Sequence, residues 1–146
     1  MFFSPLSVLV RDRQMHFLID AHNGISIYDQ IARQLKFAIA RDVIQSGEMV
    51  PSVRELSKQL AVNPNTVARA YRDLQNDGVL SPIRGTGLQI TADAKSICQS
   101  DREALIHDRL RSVLQEAYQS GLSSSAIQDS VNQLIHELSH QSGDHV

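Results

Sequence analysis

The sequence has one cysteine, no tryptophan and few aromatic residues. A single thiol, Cys98, cannot close an intramolecular disulfide, which suits a reducing compartment. Only Lys95 is a near cation in sequence, too few for a redox sensor, so Cys98 reads as a half-buried helix position. No apolar run reaches the ~20 residues that a membrane-spanning helix needs. The opening MFFSPLSVLV is apolar but short, and Arg11 and Arg13 follow it, the reverse of a signal peptide. Residues 1–14 are therefore expected to be a poorly ordered leader, with Met15 as an alternative start. The protein is expected to be cytoplasmic, with no membrane partner. Internal repeats are absent, as is any nucleophile–base arrangement. The stretch Arg84-Gly85-Thr86-Gly87 opens no helix, so it is not a dinucleotide fingerprint. Neither an enzyme nor a cofactor is expected. Positive charge is not in surplus: 14 Lys and Arg face 16 Asp and Glu, a net charge of −2.

What is present is patterned. A chain of 146 residues with 42% hydrophobic content allows one domain plus a small appendage. Residues 16–21 read as a short strand or extended arm that ends at the turn signal Asn23-Gly24. Ile27, Ile31, Leu35, Ala38 and Ile39 recur at helical spacing and predict a helix over about 26–45, stopped by Ser46-Gly47. Pro51-Ser52 opens the next helix. Ser52 and Glu55 form an S-x-x-E capping box, in which each side chain serves a backbone N–H of the other. Val53, Leu56 and Leu60 face inward. Ala61-Val62 is a turn, Asn63 an N-cap, and Pro64 takes the first helical position, where its missing N–H costs nothing. This third helix runs to about Asn76 with Val67, Ala70, Tyr71 and Leu74 buried, and Asp77-Gly78 ends it. Asn65, Thr66, Arg69 and Arg72 are left on other faces. Residues 79–83 and 88–91 are short strands around a glycine-rich tip. Two short capped helices, a tight turn and a hairpin are the order of a winged helix-turn-helix, which sets one helix into the major groove of DNA.

Charge is distributed to match. Residues 51–90 hold five basic and three acidic side chains; residues 91–146 hold four and eight. Such asymmetry separates a face for an anionic partner from a face with another task.

Beyond Asp93 the pattern is helical again. Ile97, Leu105, Ile106, Leu110, Val113, Leu114, Ala117 and Tyr118 make one long stripe, broken at Gly121. Serines 123–125 cap a last helix with Ile127, Val131, Leu134, Ile135 and Leu138 on one face. Two amphipathic helices cannot bury their faces alone; they need the winged domain or a second chain. The expected fold is mainly α with a small β wing: a winged helix-turn-helix over residues 15–91, then a C-terminal two-helix hairpin. Residues 92–140 form the dimerisation tail, and residues 141–146 are a frayed end. The candidate dimerisation residues are Leu105, Leu110, Val113, Leu114, Ala117, Tyr118, Ile127, Val131, Leu134 and Ile135.

The run PSVRELSKQLAVNPNTVARAY, inside residues 27–90, resembles the DNA-binding domain of the GntR family of bacterial transcription regulators. The form VNPNTVxRAY, followed by a tail of about 55 residues, is most similar to the YtrA subfamily, whose members carry a short two-helix dimerisation tail. The resemblance implies that Arg54 contacts DNA and that Asn63, Pro64, Asn65 and Thr66 meet the groove. It also implies that Arg84, Gly85 and Gly87 of the wing approach the backbone or the minor groove. Independently of it, Asn65 can read an adenine edge bidentately and Thr66 can touch a phosphate or a thymine methyl. Backbone N–H groups at the start of this helix favour phosphate. Ser52, Arg69, Arg72 and Thr86 complete the expected DNA-binding set. There are departures: Asp42, Ser46 and Val50 replace a glycine, a proline and a leucine usual in the family, Gln89 replaces an aromatic, and Ala68 stands where several members have arginine.

Plainer readings compete at several positions. Arg69 and Arg72 are also explained as solvated helix cations near Asp73, and Arg54 as a partner for a neighbouring acid. Tyr71 belongs to the core more readily than to a stacking surface. His136-Glu137-Leu138-Ser139-His140 matches the H-E-x-x-H motif of zinc peptidases. It lies six residues from the end of the sequence, which leaves no downstream segment for the usual third ligand, and Leu138 continues the packing stripe. No metal site is assigned. The expected function is a sequence-specific DNA-binding transcriptional regulator, a repressor, that binds a near-palindromic double-stranded operator as a homodimer. A small-molecule effector at the dimer interface stays open. The alternative is a winged-helix protein–protein interaction module without specific DNA binding.

Overall fold

A computed structural model describes residues 6–10 and 13–141. Residues 142–146, and with them nearly all of the stretch read as frayed, lie outside the described residues. The chain divides into two compact units, Met1–Glu103 and Ala104–Val146.

The first unit opens with a hairpin. Strand β1 (Leu6–Val10) pairs antiparallel with β2 (Arg13–Phe17), in register from Leu6 opposite Phe17 to Val10 opposite Arg13. For residues 6–10 and 13–14 this corrects the expectation of a poorly ordered leader over 1–14; the rest of that stretch, residues 1–5 and 11–12, lies outside the described residues. Val8, Val10, Met15 and Phe17 are buried on one face of the hairpin, while on the other Ser7 Oγ lies 2.9 Å from His16 Nδ1. The alternation of strand faces explains why every second apolar side chain is covered. It was hidden because Arg11-Asp12, between the strands, carries no glycine or asparagine turn signal.

Helix α1 (Ile27–Ala40) follows. Its Ile31, Leu35, Ala38 and Ile39 are buried as the spacing implies. The chain from 18 to 25 is tied to it by two glutamines one turn apart. Gln34 accepts from Leu18 N at 2.8 Å and donates to Leu18 O at 2.7 Å. Gln30, 3% exposed, accepts from Asp20 N and donates to Asp20 O, Asn23 Oδ1 and Ile25 O. Each side-chain amide thus stands in for a neighbouring strand and satisfies backbone groups that lack a partner in a sheet, part-buried ones at Gln30 and exposed ones at Gln34.

Helix α1 stops five residues sooner than its periodicity suggests. Asp42 takes φ +60, its N–H bonds Ile39 O, and Val43 N bonds Ala38 O at 2.9 Å. This is a Schellman stop with aspartate in the left-handed position usually held by glycine. Helix α2 (Val53–Leu60) and helix α3 (Pro64–Asn76) form the helix-turn-helix. The turn between them is a second Schellman stop, with Ala61 at φ +52 and Val62 N on Ser57 O. Gly78, at φ +79, closes α3 in the same way.

Strands β3 (Leu80–Ile83) and β4 (Gly87–Ile90) make the wing. The segment before α2 adds an antiparallel bridge to β4, Met49 opposite Gln89, that periodicity missed. Gly47 N bonds Ile90 O, Ile90 N bonds Glu48 O, and Val50 N bonds Leu88 O, at 2.9 to 3.0 Å. The core joins the inner faces of α1, α2 and α3 to Val79, Leu80 and Ile90.

Helix α4 (Ala94–Gln119) begins in this unit. Ala94 and Cys98 are fully buried, so Cys98 is a core residue and not a half-buried one. Residues 94–103 therefore belong with the winged unit, and the tail expected from 92 begins as a separate body at Ala104. The second unit holds the rest of α4, a turn with Gly121 at φ +93, and α5 (Ser124–Gln141). Ser123 Oγ accepts from Ala126 N at 3.1 Å and caps α5. Among the described residues no helix is long and apolar enough to cross a membrane.

Candidate nucleic-acid interface

The helix-turn-helix is built from the caps outward. Ser52 Oγ accepts from Glu55 N at 3.1 Å, the serine half of the capping box. Asn63 Oδ1 accepts from Asn65 N at 2.8 Å, and Pro64 follows as the first helical residue. Thr66 N is bonded to Asn63 O at 2.9 Å. The start of α3 therefore spends its own N–H groups: Pro64 has none, and those of Asn65 and Thr66 are taken. These first backbone groups of α3 are thus already bonded within the chain, to Asn63.

The side chains at this end are available. Asn63, Pro64 and Asn65 are exposed and Thr66 is half-buried. At 100° per residue, Asn65, Arg69 and Arg72 share one face of α3, opposite the buried stripe of Val67, Ala70, Tyr71 and Leu74. Arg54 on α2 and Arg84 on the wing are exposed. None of the ion pairs among the described residues uses Arg54, Arg69, Arg72 or Arg84. The reading of Arg69 as a solvated cation beside Asp73 meets a different contact: its guanidinium carbon lies 3.8 Å from the centroid of the Tyr28 ring. Sequence reasoning gave Tyr28 no role.

The wing tip is a three-residue loop. Thr86 N bonds Ile83 O at 3.0 Å and Gly85 takes φ +75, a conformation in which a side chain is strained. Exposed Arg84, Gly85, Thr86 and Gly87 surround it. A groove of about 270 Å³ lies between the start of α2 and the wing, lined among others by Ser52, Val53, Tyr71, Thr86 and Leu88.

Tyr71 is 2% exposed, and its hydroxyl donates to Pro51 O at 2.7 Å, which holds the start of α2 against α3. Burial, and next the Glu55 carboxylate, push its ionisation well above the usual tyrosine range. It is a core residue.

In the second unit the candidate dimerisation stripe stays largely uncovered. Leu110, Val113, Tyr118, Leu134 and Ile135 are each more than half exposed and Val131 is 37% exposed. Leu105, Leu114 and Ala117 are half-buried, and Ile127 alone of the stripe is buried. His136 and His140 stack edge to face at 4.4 Å, and Glu137 accepts from Gln133. Among the described residues no third His, Cys, Asp or Glu joins them in a metal-sized group.

Comparison with known proteins agrees with this geometry. Residues 27–90 match the family described as bacterial regulatory proteins, gntR family. The chain is 33% identical over 104 residues to the HTH-type transcriptional repressor YtrA of Bacillus subtilis (strain 168), covering 71% of this chain and 80% of that protein. A GntR family transcriptional regulator from Listeria monocytogenes superposes with a TM-score of 0.60 at 29% identity, over 76% of this chain and 96% of that one. A transcriptional regulator from Oenococcus oeni gives 0.54 at 33% identity, over 80% and 99%. These relatives are transcriptional regulators, a non-enzymatic class. An exposed, capped recognition helix, a wing and a short helical tail thus coincide with matches in both sequence and structure: the chain belongs to the gntR family of bacterial regulatory proteins, as a regulator of the YtrA type.

Proposed function

We propose that this protein is a sequence-specific, homodimeric DNA-binding regulator that represses transcription from a near-palindromic operator. The observation that carries the reading is the outward face of α3, where Asn65, Arg69 and Arg72 are exposed and the arginines pair with no carboxylate among the described residues. Helix α3 lies in one major groove per protomer. Asn65 and Thr66 read base edges, while Arg54, Arg72 and the wing's Arg84 hold phosphates. The uncovered apolar stripe on α4 and α5 supports pairing with a second copy, since an isolated amphipathic helix pair leaves it in water. Two-fold symmetry then spaces the half-sites about 10 base pairs apart or a multiple. Repression rests on the similarity to a relative named as a repressor, and the simplest mechanism is steric occupation of a promoter.

The test is to incubate full-length protein with sheared genomic DNA at near-physiological salt and sequence what it retains. Enrichment of an inverted repeat supports the reading. Uniform weak retention of all fragments overturns it and favours a winged helix that binds proteins, in line with the chain's slightly negative net charge.

A further inference from the structure

We infer that Tyr28 is a positioning residue for DNA binding: its ring holds the Arg69 guanidinium ready for a backbone phosphate. Tyr28 is the second residue of α1, half-buried where that helix packs on α3. Arg69 sits in the second turn of α3, exposed, with its guanidinium carbon 3.8 Å from the ring centroid.

Two alternatives were open to this arginine. Asp73 lies four residues on along α3, the spacing of a helical ion pair. Asp29 follows Tyr28 on α1. Neither carboxylate pairs with Arg69 among the described residues. The stack has a particular chemical consequence. A carboxylate would consume the N–H fork of the guanidinium and cancel its charge. An aromatic face engages the plane of the group and leaves the in-plane N–H groups for an incoming anion. It also removes rotamer freedom before binding, a cost otherwise met when the complex forms. Arg69 is thus pre-set, charged and unneutralised on the same face as Asn65 and Arg72. The tyrosine hydroxyl has no part in this; the ring does.

The inference rests on the DNA-binding reading above. Its test is a double-mutant cycle on the full chain, with Tyr28→Ala, Tyr28→Phe, Arg69→Ala and the Tyr28→Ala/Arg69→Ala pair. Binding is measured to the duplex most enriched from genomic DNA and to an unrelated duplex of equal length, across a salt series. Thermal melts confirm that each variant is folded. Tyr28→Phe is expected to bind as the parent does. Tyr28→Ala and Arg69→Ala are each expected to weaken both duplexes by about tenfold, and the double variant to be no weaker than Arg69→Ala alone. Arg69→Ala should also flatten the salt slope by about one unit, whereas Tyr28→Ala, which keeps the charge, should flatten it less. Additive losses in the double variant, or a Tyr28→Phe variant as weak as Tyr28→Ala, overturn the inference while leaving the DNA-binding reading intact. Failure of the parent chain to bind either duplex overturns both.

Discussion

Lys36 Nζ lies 2.7 Å from Asp77 Oδ2 and 2.9 Å from Asp101 Oδ2, and this one ammonium joins three helices. Lys36 is on α1 and 8% exposed, Asp77 caps the C-terminus of α3, and Asp101 is on the part of α4 that belongs to the first unit. Burial disfavours the charge, but the hydrogen bonds and charges of the two aspartates outweigh it, so the lysine's pKa is raised. Removing the ammonium leaves two acids facing each other, although both are partly exposed and can take up water. Lys36→Ala is expected to cost about 2–3 kcal/mol, toward the lower end for a broken buried pair, and Asp101→Asn about 1 kcal/mol, because Asp77 remains. Urea unfolding of the full chain checks both; equal losses would contradict the idea of a shared ammonium.

Stability is expected to fall on the alkaline side. Cys98 is buried next to this cluster, and burial first, then the charges of Asp101 and Asp77, raise its pKa from 9.0 to about 11 despite the opposing Lys36. A group whose folded pKa is raised contributes fully below its unfolded pKa and loses that contribution as pH rises through the folded value. Cys98 therefore acts between about 9 and 11, and Lys36 and Tyr71 act in the same direction above their own unfolded values. Unfolding free energies should be flat from pH 7 to 8.5 and decline beyond 9. Cys98→Ala should remove much of the decline between 9 and 11, and a variant with an unchanged slope would reject the assignment.

Two helix stops are strained for want of glycine. Ala61 sits at φ +52 in the turn between α2 and α3, and Asp42 at φ +60 after α1. A left-handed alanine costs about 1–2 kcal/mol, partly offset by the greater chain entropy that glycine would lose on folding. Ala61→Gly is expected to stabilise the chain by about 0.5–1 kcal/mol, seen as a higher melting temperature. Asp42→Gly should gain less, since it also removes the exposed pair with Lys95 at 2.6 Å, worth a few tenths of a kcal/mol. A lower melting temperature for Ala61→Gly would show that the alanine methyl packs usefully in the turn.

The same stops show why the fold was only partly legible in the sequence. Gly78 and Gly121 announce their helix ends, because glycine at such a position has a local backbone reason. Asp42 and Ala61 perform the same job without that signature, so periodicity alone carries α1 on to residue 45, past its end at Ala40. Capping at Ser52 and Asn63, and the buried stripe of α3, were readable for the same local reason: each depends on residues within four positions. The hairpin of β1 and β2 is local but lacks a glycine or asparagine at its turn, whereas the bridge from the segment before α2 to the wing and the glutamine clamps at Gln30 and Gln34 depend on partners ten or more positions away and leave no short-range pattern. Of the candidate residues, Asn65, Arg72 and Arg84 are exposed, as local spacing implies, whereas the contact of Arg69 with Tyr28 spans 41 positions and could not be read from spacing.

Asn65 and Arg84 should separate base reading from backbone holding. Asn65 presents an amide from the exposed start of α3, where a bidentate contact discriminates one base pair; Arg84 presents charge from the wing tip. Asn65→Ala is expected to weaken the enriched duplex by about 1–3 kcal/mol and to relax one operator position, with little effect on unrelated DNA. Arg84→Ala should weaken all duplexes alike and reduce the salt slope by about one. Titrations of both variants against matched and single-substituted duplexes decide the matter, and identical behaviour of the two would show that the division is wrong.

The apolar stripe of the second unit supplies the last expectation. Leu110 and Val113 on α4, and Leu134 and Ile135 on α5, are 52–60% exposed. Covering each such side chain in an interface removes it from water at about 1–2 kcal/mol, whereas a buried glutamate there brings an uncompensated charge. Ile135→Glu and Leu134→Glu are expected to convert a dimer to monomer in sedimentation velocity. The first unit has its own core, so its cooperative melt should be retained. Operator affinity should then fall by about a hundredfold or more, because two half-sites are no longer held by one linked particle. Affinity for an isolated half-site should be unchanged. A variant that remains dimeric would place the interface on another surface, and a loss of half-site binding would mean that the tail supports the winged unit directly.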